Sequence, residues 1–186
     1  MRKVLFLAIF IFILQSLNAQ PFAKDTVHIN FSAGVGWPYT FDDFYTKLFS
    51  LPAFTVSVER GFFPIDSIGV ISIGLSGSYK YLEDKRVNKK ATWNNFLIGA
   101  MARFNFYFLN NKKFIPYVGL FGGINAIKYK DSFYNSSTDY PTNYNGIFPL
   151  AYVFGGIKYT SKRSFGVFAE ASYGFTYLSF GIYKVL

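Results

Sequence analysis

The chain has no cysteine and a single histidine, His28. Small exported domains often rely on disulfides, so without cysteine this chain must draw its stability from burial and strand pairing. The same absence excludes a lipid anchor attached through a cysteine. A lone histidine offers little for acid–base or metal chemistry, since a serine nucleophile normally needs a base within hydrogen-bond reach. Asp42 and Asp43 form an isolated acidic pair. The chain therefore reads as non-enzymatic, with no metal and no cofactor.

Charge is also scarce. Asp, Glu, Lys and Arg make up 16% of the residues, against about 25% in soluble domains. Long apolar runs are almost missing. The one clear run, Val4 to Leu14, is shorter than the ~20 residues that a transmembrane helix needs. Arg2 and Lys3 precede it and Ser16-Leu17-Asn18-Ala19-Gln20 follow it, which is the layout of a secretory signal peptide cleaved after Ala19. Residues 1–19 are thus expected to be a leader, and residues 20–186 a single mature domain. All basic residues but Arg2 and Lys3 lie in that mature part, so it stays cationic. An exported chain would rarely meet nucleic acid, which leaves anionic lipid headgroups as the expected counterpart.

Aromatic residues are abundant: 22% of the chain, with 24 Phe and 15 Tyr. They fall in short segments of period two. In Thr26 to Gly36, Val27, Ile29, Phe31, Ala33 and Val35 share one face, while His28, Asn30, Ser32 and Gly34 share the other. In 69–80, Ile71, Ile73 and Leu75 alternate with Ser72, Gly74, Ser76 and Ser78. Comparable alternation covers 53–60, 93–108, 116–128, 165–174 and 178–186; 147–159 is a further strand whose two faces are not distinguished. Apolar-out, polar-in segments of about ten residues are the signature of a transmembrane β-barrel.

Eight strands return both ends of the domain to one side, the periplasm. Short turns at 61–67, 110–113 and 161–164 belong on that side. Polar loops at 37–51, 83–92 and 131–146 belong outside, with a short last loop around Phe175 and Thr176. Tyr39, Tyr79, Tyr81, Trp93, Tyr129 and Tyr177 mark an outer aromatic belt. Phe62, Phe63, Phe106, Tyr107, Phe108, Phe114, Tyr117 and Tyr159 mark an inner one.

Six segments carry a resemblance: PAFTVSVERG from Pro52, IGVISIGLSGS from Ile68, FLIGAMARFNFY from Phe96, YVGLFGGIN from Tyr117, GGIKY from Gly155 and VFAEASYG from Val167. In their order and spacing the chain resembles the small outer-membrane β-barrel proteins of Bacteroidota, of the opacity-type and other eight-stranded architectures. The resemblance implies an all-β, eight-stranded, up-and-down antiparallel barrel in the outer membrane of a Gram-negative cell. It implies outer-membrane lipids and lipopolysaccharide as surroundings, and the barrel-assembly machinery as a partner of the last strand. Members usually end that strand on an aromatic residue, whereas this chain ends on Leu186. A monomer is expected.

The candidate site residues are charges placed inside by parity: Glu59, Arg103 and Glu170, with Lys158 joining them if its strand takes the matching face. Counting from the turns puts all four in the lower or middle barrel, where they would form a structural charge cluster in the lumen. The expected role is a structural or surface-interaction one. The alternatives are a narrow channel or transporter for small hydrophobic or ionic solutes, and a soluble periplasmic lipid-binding barrel.

Overall fold

A computed structural model describes residues 24–36, 48–66, 68–86, 89–107, 113–131, 145–160 and 164–186. The expected leader therefore lies outside the described residues, as do Tyr39 and Phe108. Nine strands are present among the described residues: β1 (Val27–Val35), β2 (Leu48–Ser50), β3 (Ala53–Ile65), β4 (Gly69–Arg86), β5 (Lys89–Phe106), β6 (Phe114–Asp131), β7 (Gly146–Thr160), β8 (Phe165–Ser172) and β9 (Leu178–Val185).

Eight of them form a ring. Every sequential neighbour from β3 to β9 pairs antiparallel, β1 pairs with β3, and the β1–β9 pairing closes the sheet. The chain is a closed, up-and-down, eight-stranded antiparallel barrel. Closure removes the free edges that would otherwise leave a row of backbone N–H and C=O groups unpaired. β2 stands outside the ring, paired with the upper part of β4 through Leu48↔Asp84 and Ser50↔Leu82.

The alternation sets the faces, and it is inverted relative to a water-soluble protein. Leu75, Ile98 and Leu120 point outward and are 69%, 62% and 62% exposed, whereas Asn95 and Asn105 point inward and are fully buried. On β3, Phe54, Val56 and Val58 lie outside and Ser57 and Glu59 inside. β7 takes the matching parity: Val153, Ile157 and Tyr159 face out, while Phe154 and Lys158 are buried. A bulge between Gly61 and Phe63 interrupts the alternation near the lower end of β3 and leaves Phe62 and Phe63 both exposed.

Strand lengths differ from the sequence reading at the outer end. β4, β5 and β6 each run 18 residues, while β8 and β9 run 8. At about 3.3 Å per residue the long strands reach some 60 Å, whereas 9–11 residues cross a bilayer. The expected loop at 83–92 is instead a continued hairpin paired to Arg86↔Lys89, and part of the expected loop at 37–51 is β2. Residues 83–90 are almost all polar in sequence and carry no apolar alternation, so they read as loop. The result is a lopsided barrel with a sheet of β2, β4, β5, β6 and upper β7 projecting beyond the outer rim.

Candidate functional site

The lumen is split lengthwise by residue type. Inward positions on β1, β3 and β4 are mostly polar, with His28, Asn30, Ser32, Thr55, Ser57, Glu59, Ser72, Ser76, Ser78 and Lys80, although Ala53, Val70 and Leu82 are buried there too. Inward positions on β6 and β7 are largely aromatic, with Tyr117, Phe121, Tyr152 and Phe154. Leu97 and Met101 of β5 join that apolar side. In an eight-stranded ring the opposing side chains meet, because the interior is only wide enough for side chains to fill.

Charges meet in the lower half. Glu59 is ion-paired with Arg103, and Lys158 Nζ donates to Glu59 Oε1 at 2.6 Å. Arg103 also reaches Glu170 Oε2 at 3.3 Å. Glu59, Arg103, Lys158 and Glu170 are thus one connected group of two acids and two bases, drawn from β3, β5, β7 and β8. Polar neighbours complete it. Ser72 Oγ donates to Glu59 Oε2 at 2.8 Å, Asn30 Nδ2 to Glu59 Oε1 at 3.2 Å, and Tyr117 Oη to Glu170 Oε2 at 3.0 Å. The Arg103 guanidinium lies 4.4 Å from the centroid of the Tyr117 ring and 5.2 Å from that of Phe154. Each buried ion therefore has both an opposite charge and hydrogen bonds or ring faces around it, the condition under which burying charge is tolerated.

Below this group, the ring of His28 stacks on Tyr183 with centroids 5.2 Å apart, and the Tyr183 hydroxyl bonds to Thr160 at 2.5 Å. Above it, the last outer turn folds inward. Phe175 is buried among Ala53, Leu97, Met101, Phe121 and Phe154, and Ser172 Oγ donates to the Thr176 carbonyl at 2.5 Å. A cavity of about 30 Å³ remains beside the hydroxyls of Ser32, Thr55, Ser57, Ser76 and Ser78, which is room for a water or two.

Four aromatic assignments are corrected. Tyr107, Tyr117, Trp93 and Tyr129 were expected in the lipid-facing belts, but Tyr117, Trp93 and Tyr129 are buried and face inward, and the half-buried Tyr107 packs inward against Val70 and Ile115. Tyr117 belongs to the charge group. Trp93 and Tyr129, with centroids 5.1 Å apart, pack with Leu82 and Ala91 on the inner face of the projecting sheet. Their parity had already placed them inside: Trp93 shares a face with Asn95, and Tyr117 with Gly119. Lys80 is a lumenal charge that sequence reasoning missed, although it continues the Ser72–Ser76–Ser78 face; its ammonium is bonded to the Gly36 carbonyl. Among the other aromatic residues, Phe62, Phe63, Phe114 and Tyr159 are exposed at the lower end and Tyr173 and Tyr177 at the upper.

No protein-family model matches this chain, and neither does any curated protein. Two solved structures similar to it are both of Ail from Yersinia pestis. One is the crystal structure of this attachment invasion locus protein in complex with the heparin analogue sucrose octasulfate. It is 12% identical, with 88% of this chain and 96% of that one covered and a TM-score of 0.45. The other is the backbone structure of the outer-membrane protein Ail in a phospholipid bilayer nanodisc, 13% identical over 88% of this chain and 100% of that one, with a TM-score of 0.42.

Proposed function

We propose that this chain is an integral outer-membrane protein whose barrel is a closed anchor and whose projecting sheet is an interaction surface. The observation that carries this reading is the inverted wall: large apolar side chains stand exposed all around the barrel while the polar and charged ones are gathered in the lumen. Such a wall is stable against hydrocarbon and unstable against water, and a closed barrel is one of the two folds that can span a membrane. On the same proposal residues 1–19 are the export signal, the last strand is the handle for the assembly machinery, and the protein is a monomer of the kind found in Bacteroidota.

The closed-anchor reading is supported by the neutral, mutually bonded group of Glu59, Arg103, Lys158 and Glu170 lying across the lumen, with Phe175 packed above it. The interaction reading is supported by the projecting sheet. Upper β7, from Gly146 to Tyr152, has β6 on one side and, among the described residues, no strand on the other. Ile147 and Phe148 are exposed there. Two measurements test the proposal. Cell fractionation should recover the protein in the outer membrane; recovery in the soluble periplasm would overturn it. Single-channel recording on reconstituted protein should show no steady conductance, and a well-defined open state would replace the anchor with the channel reading.

A further inference from the structure

The lower barrel wall carries a depression whose walls and rim are of different chemistry. It occupies about 590 Å³ on the outer face of β1, β9, β8 and β7, with Phe114 of β6 at its flank. The strand registers explain its shape. Ala33, Phe180, Ala169 and Ile157 lie side by side in one row across the four strands, and Phe31, Ile182, Val167 and Tyr159 in the next row down. Ala33 and Ala169 form a shallow floor between large side chains. Apart from Ser32, whose side chain has lumenal parity, and the Tyr159 hydroxyl, the lining is apolar or aromatic, so the hollow fits a hydrocarbon tail.

One row further down the chemistry changes. Lys184 pairs with Ile29 on one side and Phe165 on the other, at the foot of the groove. It shares the outward parity of Phe180 and Ile182, and its ammonium lies 5.4 Å from the centroid of the Phe165 ring. One cation thus stands at the foot of the apolar trough, at the level of the lower exposed aromatics. That is where a bilayer passes from tails to phosphates.

We propose that this groove holds one anionic glycerophospholipid of the periplasmic leaflet, an acyl chain lying over Ala33 and Ala169 and the phosphate held by Lys184. The proposal rests on the membrane-spanning reading above. Lysines near a bilayer surface attract anionic lipid by about 1 kcal/mol each, so losing one should weaken retention about fivefold.

The test is native mass spectrometry of the protein released from vesicles of phosphatidylglycerol or of phosphatidylcholine with the same chains. Insertion is checked beforehand in each vesicle by protease protection. The expected result is one phosphatidylglycerol retained well above phosphatidylcholine, with the preference falling about fivefold in Lys184→Gln. Lys184→Arg should keep it. Ala169→Phe, which fills the trough and leaves Lys184 in place, should reduce retention of either lipid severalfold. Normal insertion with equal retention of both lipids, or a preference unmoved by the Gln and Phe variants, overturns the lipid site alone. Failure to insert into either vesicle overturns the membrane reading and the lipid site with it.

Discussion

Glu59 and Lys158 lie 99 positions apart in the chain and meet at 2.6 Å across the full width of the lumen. β3 and β7 are four strands apart in either direction around the ring, so this contact is a strut along a diameter. Both side chains are almost completely buried.

Removing the acid should therefore cost more than removing the pair. Glu59→Gln leaves Lys158 and Arg103 facing each other with only Glu170 to balance them. A loss of about 3–5 kcal/mol is expected, the range for breaking a buried pair on one side. Urea-unfolding midpoints in detergent or bilayer, read by heat-shifted gel migration, would measure it. A loss below 1 kcal/mol would mean that water reaches the group.

Glu59→Leu combined with Lys158→Met deletes the diametric pair and leaves Arg103 with Glu170. The double variant should be more stable than Glu59→Leu alone, with a coupling of about 1–3 kcal/mol in a double-mutant cycle. Additive losses would mean that the two side chains act separately.

Glu170 stands at the upper edge of the group and is partly accessible to the cavity. Glu170→Gln removes the second partner of Arg103 and weakens the acceptor of Tyr117. Thermal stability should fall modestly, by about 1–2 kcal/mol, with conductance unchanged. A large conductance change at unaltered stability would turn the same residues into the lining of an ion path.

Two glycines one row apart test the packing of the wall. A Cβ on Gly99 would come within 2.6 Å of Gly123 Cα and 2.4 Å of the Gly122 carbonyl, while a Cβ on Gly122 would meet nothing within 4 Å. Gly99→Ala should destabilise the barrel by about 1–3 kcal/mol, and Gly122→Ala should be near neutral or slightly stabilising. Comparing the two unfolding midpoints checks the inside–outside assignment directly.

Much of this architecture could be read from residue alternation. Ile71, Ile73 and Leu75 against Ser72 and Ser76 state which face meets lipid, because the period of two ties side-chain direction to sequence parity. Glu59, Arg103 and Glu170 were likewise placed inside by parity, whereas Lys158 stayed conditional because the two faces of 147–159 could not be told apart. Reading by residue type failed where it was allowed to override parity. Trp93, Tyr117 and Tyr129 looked like belt residues because aromatic rings favour the interface, yet their positions on the strands turn them inward. The hairpin beyond Glu83 was illegible for another reason: residues 83–90 are almost all polar in sequence, so the alternation that marks a strand is missing. The trough over Ala33 and Ala169 was out of reach as well, since it depends on which rows of four strands lie side by side.

The Glu59–Lys158 strut has a consequence for how the protein is made. In a flat sheet strands four places apart would be about 19 Å from each other, so the two charges can meet only once the sheet has curled. A partly inserted sheet would hold its charges unmatched at the margin of the hydrocarbon, where each is costly. The final pairing of β1 with β9 is then favoured by the neutralisation of the interior as well as by the seam's own hydrogen bonds, which makes closure a cooperative event and open intermediates short-lived.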